Sequence, residues 1–468
     1  MIVRGKLLAC GLFLLLAGCA TAGPDYRPPA NGVSTAPAAT GTFASADGPD
    51  FAQAPLPDRW WKLYDDPRLD SLVEQALAAN ADLRVADANL RRADAVVRET
   101  AAGRDIATSV TGGASLARPS GTGADLPGTV SYDLGLGASY SLDLHGKIRR
   151  AIEASMADRE AVAAARDAVR VNVAAATAKA YADTCAANYR LSVLQKVVKL
   201  QQETLDATQR LQRAGRGTAF DVSRAQAAVD TSRASLPGLV AKRKAALYLL
   251  GALLGRAPAD YPKAVESCAT LPDLSRPMPV GDGAGLIRRR PDIREAERTI
   301  AADTARIGVE TADLYPQISF GGSVGLSGPL GDAGSPSSFG FSLGPLLSWS
   351  FPNRPVVRAR IDEAGAQVDA DLAKFNSTVI EALRQTETAL ETYARDRETA
   401  ADLAKARDSA ALSASQAGKL FRFGRGDFLS LLDAQRSLAN AQASYAAAQA
   451  TVADDQIAVF MALGGGWQ

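Results

Sequence analysis

The chain has 468 residues, with Lys+Arg 52 against Asp+Glu 51, 47% hydrophobic residues, 6% aromatic residues and a single histidine. A formal net charge of +1 offers nucleic acid no general electrostatic footprint, which requires a strong basic excess or stripe. His145 alone excludes multi-histidine metal sites and leaves one candidate for any serine or cysteine triad, so the chain reads as a non-enzyme with no cofactor. At 22% charged and rich in Leu, Val and Ala it is not globally disordered, and its length allows roughly two or three ordinary domains.

At the N-terminus, Arg4 and Lys6 precede an apolar run from Leu7 to Leu16 and the small residues Ala17 and Gly18. A basic region, a short apolar core and a small-residue cleavage site define a signal peptide over residues 1–18, too short to span a bilayer as a mature helix. The tetrad Leu16-Ala17-Gly18-Cys19 resembles the bacterial lipobox, which implies that Cys19 becomes the lipid-bearing first residue, with Ala20 directing the chain to the outer membrane. Residues 19–57 are rich in Pro, Ala, Gly, Ser and Thr, the composition of an extended lipidated tether with no role beyond reach. Cleavage deletes Cys10 and lipidation occupies Cys19, which leaves Cys185 and Cys268 in an oxidising compartment. A disulfide between them and two separate apolar side chains both remain open.

The rest of the chain is written twice, at a spacing close to 209 residues. Gly215-Arg216-Gly217 matches Gly424-Arg425-Gly426, Ala225-Gln226 matches Ala434-Gln435, Asp82 with Arg84 matches Asp292 with Arg294, and Ser109 matches Ser319. So long a period indicates a duplicated domain and not a solenoid of short units. The first structural repeat is placed at 58–272, with a hairpin at about 106–144, and the second at 273–468, with a hairpin at about 316–351.

Within the first hairpin the even positions Tyr132, Leu134, Leu136, Ala138, Tyr140, Leu142 and Leu144 alternate with Ser, Asp or Gly, and a fainter strand runs through Val110, Ala114 and Leu116. In the second, Ile318, Phe320, Val324 and Leu326 form one apolar set, and Phe339, Phe341, Leu343, Leu347, Trp349 and Phe351 form another. Turn-rich loops are expected around Pro119 to Gly128 and Gly328 to Ser337. Strands of about 10 to 14 residues, apolar on one face and small or polar on the other, have transmembrane-barrel proportions. A soluble sandwich alternates identically.

The helical stretches decide between these readings. Lys147 to Ala214 contains neither Gly nor Pro and extends about 100 Å as a continuous helix, more than a single globular core accommodates. Phe428 to Leu463 is equally free of both, and Val356 to Phe423 carries only Gly365 and Gly418. Long helices in a ring or coil follow, with narrow apolar stripes. Four membrane strands cannot close a barrel, because the smallest closed membrane barrels have about eight, and an open edge leaves backbone groups unpaired in hydrocarbon. The chain must therefore oligomerise, and three copies, giving twelve strands, begin to leave an aqueous lumen.

At this point the motifs resemble a known family. Trp60-Trp61, Asp66-Pro67, Leu69, Leu72, Leu77, Asn80 and Leu83 look like the opening signature of outer-membrane efflux lipoproteins, the TolC-type channels of the NodT branch. Arg289-Arg290-Pro291-Asp292-Ile293-Arg294 with Glu297 resembles the signature of the second repeat, and Leu432-Asp433-Ala434-Gln435-Arg436 the one before the last helix. One departure is that Arg104-Asp105-Ile106 stands where the family places the proline that Leu314-Tyr315-Pro316 carries in the second half. The resemblance implies a mainly α fold with a membrane β-barrel: a trimeric TolC-like α/β barrel, internally duplicated, with four strands per chain giving a twelve-stranded barrel and long helices giving a periplasmic α-barrel. It implies a homotrimer in outer-membrane lipid that partners a periplasmic adaptor and an inner-membrane pump of the RND type as the passive exit duct for drugs or other small solutes. A protein-secretion duct and a lipid-anchored adaptor or coiled-coil scaffold are the alternatives.

The loops Arg213 to Phe220 and Arg422 to Phe428 join the long helices, and Gly215, Gly217, Gly424 and Gly426 permit tight reversals. By resemblance these tips, with Arg216 and Arg425, form a periplasmic aperture that meets the adaptor. Asp427 and Asp433 are the candidate gate acids, each becoming a ring of three under three-fold symmetry and attracting cations at a narrow neck. Asp427 is also placed to N-cap the last helix. The Trp60-Trp61 pair and the residues Arg290 and Asp292 read as packing and structural groups.

Overall fold

The computed structural model describes residues 21–29, 32–117, 128–349, 351 and 354–465. The signal peptide, Cys19 and the predicted turn after Pro119 lie outside the described residues. In chain order the elements are β1 (Phe51–Ala52), a 3-10 turn at Trp60–Tyr64, α1 (Pro67–Ala79), α2 (Ala81–Ala101), β2 (Ala107–Ala117), β3 (Thr129–Leu142), α3 (Lys147–Arg213), α4 (Ala219–Ala234) and α5 (Leu236–Leu253). There follow β4 (Met278–Pro279), α6 (Gly283–Arg289), α7 (Pro291–Ala312), β5 (Gln317–Pro329), β6 (Phe339–Ser348), α8 (Arg354–Arg422) and α9 (Phe428–Ala462). The long helices α3 and α8 run 67 and 69 residues, within a residue or two of the stretches their composition predicts. The α3 start is fixed by Asp143, whose carboxylate accepts the Ile148 and Arg149 amides at 3.0 and 2.8 Å.

The chain forms two compact units, and each draws on both sequence repeats. The first takes residues up to Ala30, Asn89–Ala163 and Glu295–Phe375; the second takes Asn31–Ala88, Ala164–Arg294 and Asn376–Gln468. Each repeat thus gives its hairpin to the first unit and its helix tip to the second.

In the first unit the strands form one antiparallel sheet in the order β2-β3-β5-β6. Its register aligns the apolar row Val110, Leu136, Val324 and Phe341 across all four strands, next to the small row Ser109, Gly137, Ser323 and Ser342. Where the proline is missing, the chain passes from α2 to β2 through a 3-10 turn at Ala102–Arg104 closed by the Asp105 amide on the Ala102 carbonyl. In the second half, turn bonds from Asp313, Leu314 and Tyr315 precede Pro316, so both halves reach their strands by different local means.

The second unit holds the main core, with Trp60 and Trp61 fully buried and Trp60 stacked on Phe460 at 4.8 Å between ring centroids. Cys185 and Cys268 are joined in a disulfide across this core, with their Cα atoms 4.8 Å apart. Arg290 donates to Asp292, Gln385 and the Ala462 carbonyl, tying the start of α7 to α8 and the end of α9.

The segment after Cys19 corrects one expectation, since it is not a tether with reach as its only role. In the second unit Phe43, Ala46 and Leu56 enter the core, β1 pairs in parallel with β4, and the Glu387 carboxylate accepts the Ala44 and Ser45 amides at 2.9 Å each. A composition rich in Pro, Ala and Gly disfavours helix and keeps a chain extended, but an extended chain is free to line a surface and sink its few apolar side chains.

Asp455 on α9 lies beside Asp396 on α8, close to Asp454 and Lys179. Burial first, and Asp396 second, push the Asp455 carboxyl up to about 7. The folded state therefore favours the proton, while the unfolded chain titrates near 3.8, so this stabilisation is full below about pH 4 and lost by about pH 7. Thermal stability of the second unit is expected to fall over that window, and Asp455→Asn to flatten the fall; an unchanged slope in the variant would refute the assignment.

Candidate functional site: the helix tips and the exposed sheet

Both tips end their first helix in the same way. At the end of α3 the Arg216 amide reaches the Leu211 carbonyl and the Gly215 amide the Gln212 carbonyl, at 2.8 and 2.9 Å. At the end of α8 the Arg425 amide reaches Leu420 and the Gly424 amide Phe421, at 2.9 and 3.1 Å. These paired bonds form the Schellman closure, which needs a left-handed residue, and Gly215 and Gly424 supply it with φ of +72° and +69°. The second glycines serve a different purpose: a methyl on Gly426 would stand 3.0 Å from the Leu420 Cβ, so the chain passes too close to the helix it has left for a side chain there.

The next helices begin with the same two chemical groups in exchanged places. In the first tip Thr218 caps α4, its hydroxyl accepting the Asp221 amide while the Asp221 carboxylate accepts the Thr218 amide, each at 3.1 Å. In the second tip the carboxylate comes first: Asp427 caps α9, accepting the Ser430 amide at 2.8 Å and the Ser430 hydroxyl at 2.6 Å. The Ser430 hydroxyl, followed by its amide, holds the Asp427 carboxyl below the usual range, so Asp427 is charged at neutral pH. Phe428 then packs on Leu205, Ala225 and Val229, and Gln435 bonds Thr204 at 2.8 Å in the buried seam between α3 and α9.

Of the predicted site residues, Gly215, Arg216, Gly424, Arg425, Asp427 and Asp433 are exposed, while Gly217 and Gly426 are half-buried. The side chains of Arg216, Arg425 and Asp433 make no hydrogen bond or ion pair among the described residues, although the two arginine amides close the turns. The tips also carry large apolar side chains that motif reading passed over: Phe220 and Phe423 are 66% and 79% exposed. Glycines and charges draw attention in a turn, whereas one phenylalanine beside them gives no periodic signal.

The sheet of the first unit exposes what a soluble core would cover. Phe341 and Leu343 are 79% and 84% exposed, with Val110, Leu134, Leu136, Phe320 and Leu347 exposed on the same face. The other face presents Ser and Gly in the register given above, with Asp133 the only charged residue in the four strands. The edge strands β2 and β6 each pair on one side only.

Residues 72–256 and 285–465 match the outer membrane efflux protein family, one match in each sequence repeat. Nodulation protein T of Rhizobium leguminosarum bv. trifolii is 30% identical over 430 residues, covering 91% of this chain and 90% of the relative. The toluene efflux pump outer membrane protein TtgC of Pseudomonas putida is 30% identical over 465 residues, covering 97% and 94%. Among solved structures, the outer-membrane channel OprN superposes with a TM-score of 0.87 at 35% identity, over 95% of this chain and 99% of that one. The open state of the Neisseria gonorrhoeae MtrE outer membrane channel gives 0.81 at 28% identity, over 96% and 99%. The chain belongs to the outer membrane efflux protein family, with the TolC-like channel fold. It is an outer-membrane component of an efflux system, and its relatives are channels and not enzymes.

Asp427→Ala is expected to fray the first turn of α9, seen as faster amide exchange at Ser430, whereas Asp427→Ser keeps the cap and leaves exchange close to the native rate. Gly424→Ala should cost about 1 kcal/mol through the left-handed conformation alone. Equal exchange rates in all three variants would show that the tip does not depend on these groups.

Proposed function

We propose that the chain is one third of a passive exit duct, a homotrimer whose copies each contribute the four strands β2, β3, β5 and β6 to one closed barrel. The observation that carries this reading is the sheet with an exposed apolar face and two edges paired on one side only. In hydrocarbon each unpaired edge amide or carbonyl costs several kcal/mol, so β2 and β6 require partners, and identical neighbours supply them by joining β6 of one copy to β2 of the next. Trp349, Tyr140 and Tyr315 lie at the ends of the strands, where amphipathic rings favour the membrane interface. Covalent lipid on Cys19 adds an anchor that does not span.

The tips are the surface offered to a periplasmic adaptor, with an inner-membrane pump supplying the energy. Relatives are described as toluene and antibiotic efflux components, and small drugs or solvents are the cargo class this similarity supports. The Ser and Gly face of the sheet supplies a polar lining. Asp427 carries both roles suggested for it: it caps α9 and, charged and exposed, forms a ring of three at the aperture, with the unpaired Asp433 two turns into the helix adding to the same field.

Purified protein is expected to run at three times the monomer mass in detergent and to conduct ions in planar bilayers, and Phe341→Asp, which places a charge on the lipid face, should abolish insertion. A monomer without conductance would overturn the duct. Asp427→Ser, which retains the cap, should lower the cation preference of the open pore, and Asp427→Ser with Asp433→Ala should lower it further; selectivity unchanged in both would remove the gate role and leave the duct.

A further inference from the structure

Arg150, in the first turn of α3, is a buried arginine at 4% exposure, and all its partners but Glu153 lie far away in sequence. Its Nε donates to the Ala22 carbonyl at 3.0 Å, Nη2 donates to the Gly23 carbonyl at 3.3 Å and to the Asp25 carboxylate at 2.7 Å, and Nη1 donates to Glu153 at 2.7 Å. The Ala22 amide donates to the His145 carbonyl at 2.9 Å, directly after β3. Gly23, at φ +77°, crosses Gly308 of α7 so closely that a methyl on Gly23 would stand 2.4 Å from the Gly308 Cα. A methyl on Gly308 would in turn stand 2.7 Å from the Arg150 Cγ and 2.8 Å from the Ala22 oxygen. Three residues on, Tyr26 donates to Glu297 at 3.0 Å, lies 5.5 Å from the Arg298 guanidinium and packs on Ala157, Ala301 and Ala302.

The duplication gives an independent sign that this arrangement is built for the N-terminus. The repeats align through α3 and α8 at the 209-residue spacing, where Arg149 matches Arg358 and Ile152 matches Ile361, yet Arg150 falls on Ala359. At the 210-residue spacing that aligns Asp82 with Asp292, Gly308 falls on Arg98 and Arg298 falls on Ala88. A duplicated scaffold has two hairpins and two tips but only one N-terminus, and within each duplicated pair of helices only the member that meets it, α3 in the first half and α7 in the second, carries these residues. Without residues 22–25 the buried guanidinium would lose three of its four acceptors, a loss that water in so covered a position would not make good.

We infer that residues 21–26 are a docked strap and that Arg150 is its receptor, a positioning residue that seats the lipid-bearing N-terminus against the strand-to-helix turn His145–Gly146. Thr21 lies on that turn, its Cγ2 only 2.6 Å from where a Gly146 side chain would begin, so the chain enters the fold beside the last residues of β3. The anchor thus enters the membrane in fixed register with the sheet, not at the end of a free leash. The anchoring part of this inference rests on the lipobox reading of Cys19; the docking of the strap does not.

The test uses the full-length protein carrying Ala22→Cys, a small change at a buried position, with Cys185 and Cys268 already bonded and each rate taken over that of the same background without Ala22→Cys. Modification of this thiol by a bulky hydrophilic maleimide is expected to be slow in the otherwise native chain and at least tenfold faster in Arg150→Gln. Gly23→Val, which blocks the crossing over Gly308 and leaves Arg150 intact, is expected to produce the same acceleration, so a folding failure peculiar to the arginine variant cannot mimic the result. Equal rates in native, Arg150→Gln and Gly23→Val backgrounds would overturn the docked strap. Metabolic labelling with palmitate reads the anchor separately: loss of label in Cys19→Ser supports the seated anchor, and absence of label in the native chain overturns the anchoring role while the maleimide rates still report on the strap.

Discussion

Pairing of backbone groups at the edges of a sheet in hydrocarbon governs this molecule. The four strands satisfy one another internally, with β3 and β5 paired on both sides, and the cost falls on β2 and β6. The side chains leave no way to hide those edges, because the apolar face is continuous from Val110 on β2 to Phe341 on β6 and would lie toward lipid along its whole width. Soluble proteins blunt an edge with charge, and these edge strands carry none; β6 holds only Pro345, where an amide is absent. An uncharged edge is a liability in water and a requirement for a strand that must accept an identical neighbour.

Long helices follow from the same demand. A helix of 67 or 69 residues cannot be covered by one compact core, and both α3 and α8 contribute to two separate packing environments. In the second unit the covering is aromatic and cross-linked, with Trp60 on Phe460 and the Cys185–Cys268 bond. In the first unit it is made by alanines such as Ala157, Ala301 and Ala302, which allow close approach with little apolar area per residue. Ion pairs supplement that thin packing, including Arg159 with Asp94 and Arg298 with Glu160, although half-exposed pairs of this kind contribute only modestly.

Much of this was legible in the chain because the informative signals were periodic or repeated. Alternation located all four strands, the absence of Gly and Pro located α3 and α9 nearly to the residue, and the duplication located both tips. Features carried by isolated residues were not legible. Phe43 and Leu56 sit singly among small residues and so gave no sign that the supposed tether lines the core, and the spacing of Cys185 and Cys268 left their pairing open until their Cα atoms were placed 4.8 Å apart. Motif reading identified Asp427 but could not see that Ser430 completes its cap, because the corresponding pair in the first tip, Thr218 and Asp221, has the acid and the hydroxyl exchanged.

That exchange shows what duplication preserves and what it releases. Both tips keep the Schellman glycine and the reciprocal acid and hydroxyl, since any chain that reverses between two long helices must satisfy the same orphan amides. The order of the acid and hydroxyl is free, however, and only one arrangement puts the carboxylate at the cap itself, where it is exposed and charged. Arg150 shows the same logic carried further: the matching position in the second half is Ala359, an exposed residue with no side chain to hold a partner. In a chain written twice, residues shared by the halves report what the scaffold requires, and residues confined to one half report what happens once per molecule, an exposed capping carboxylate at one tip and the contacts of Arg150 with the N-terminal segment beside one strand.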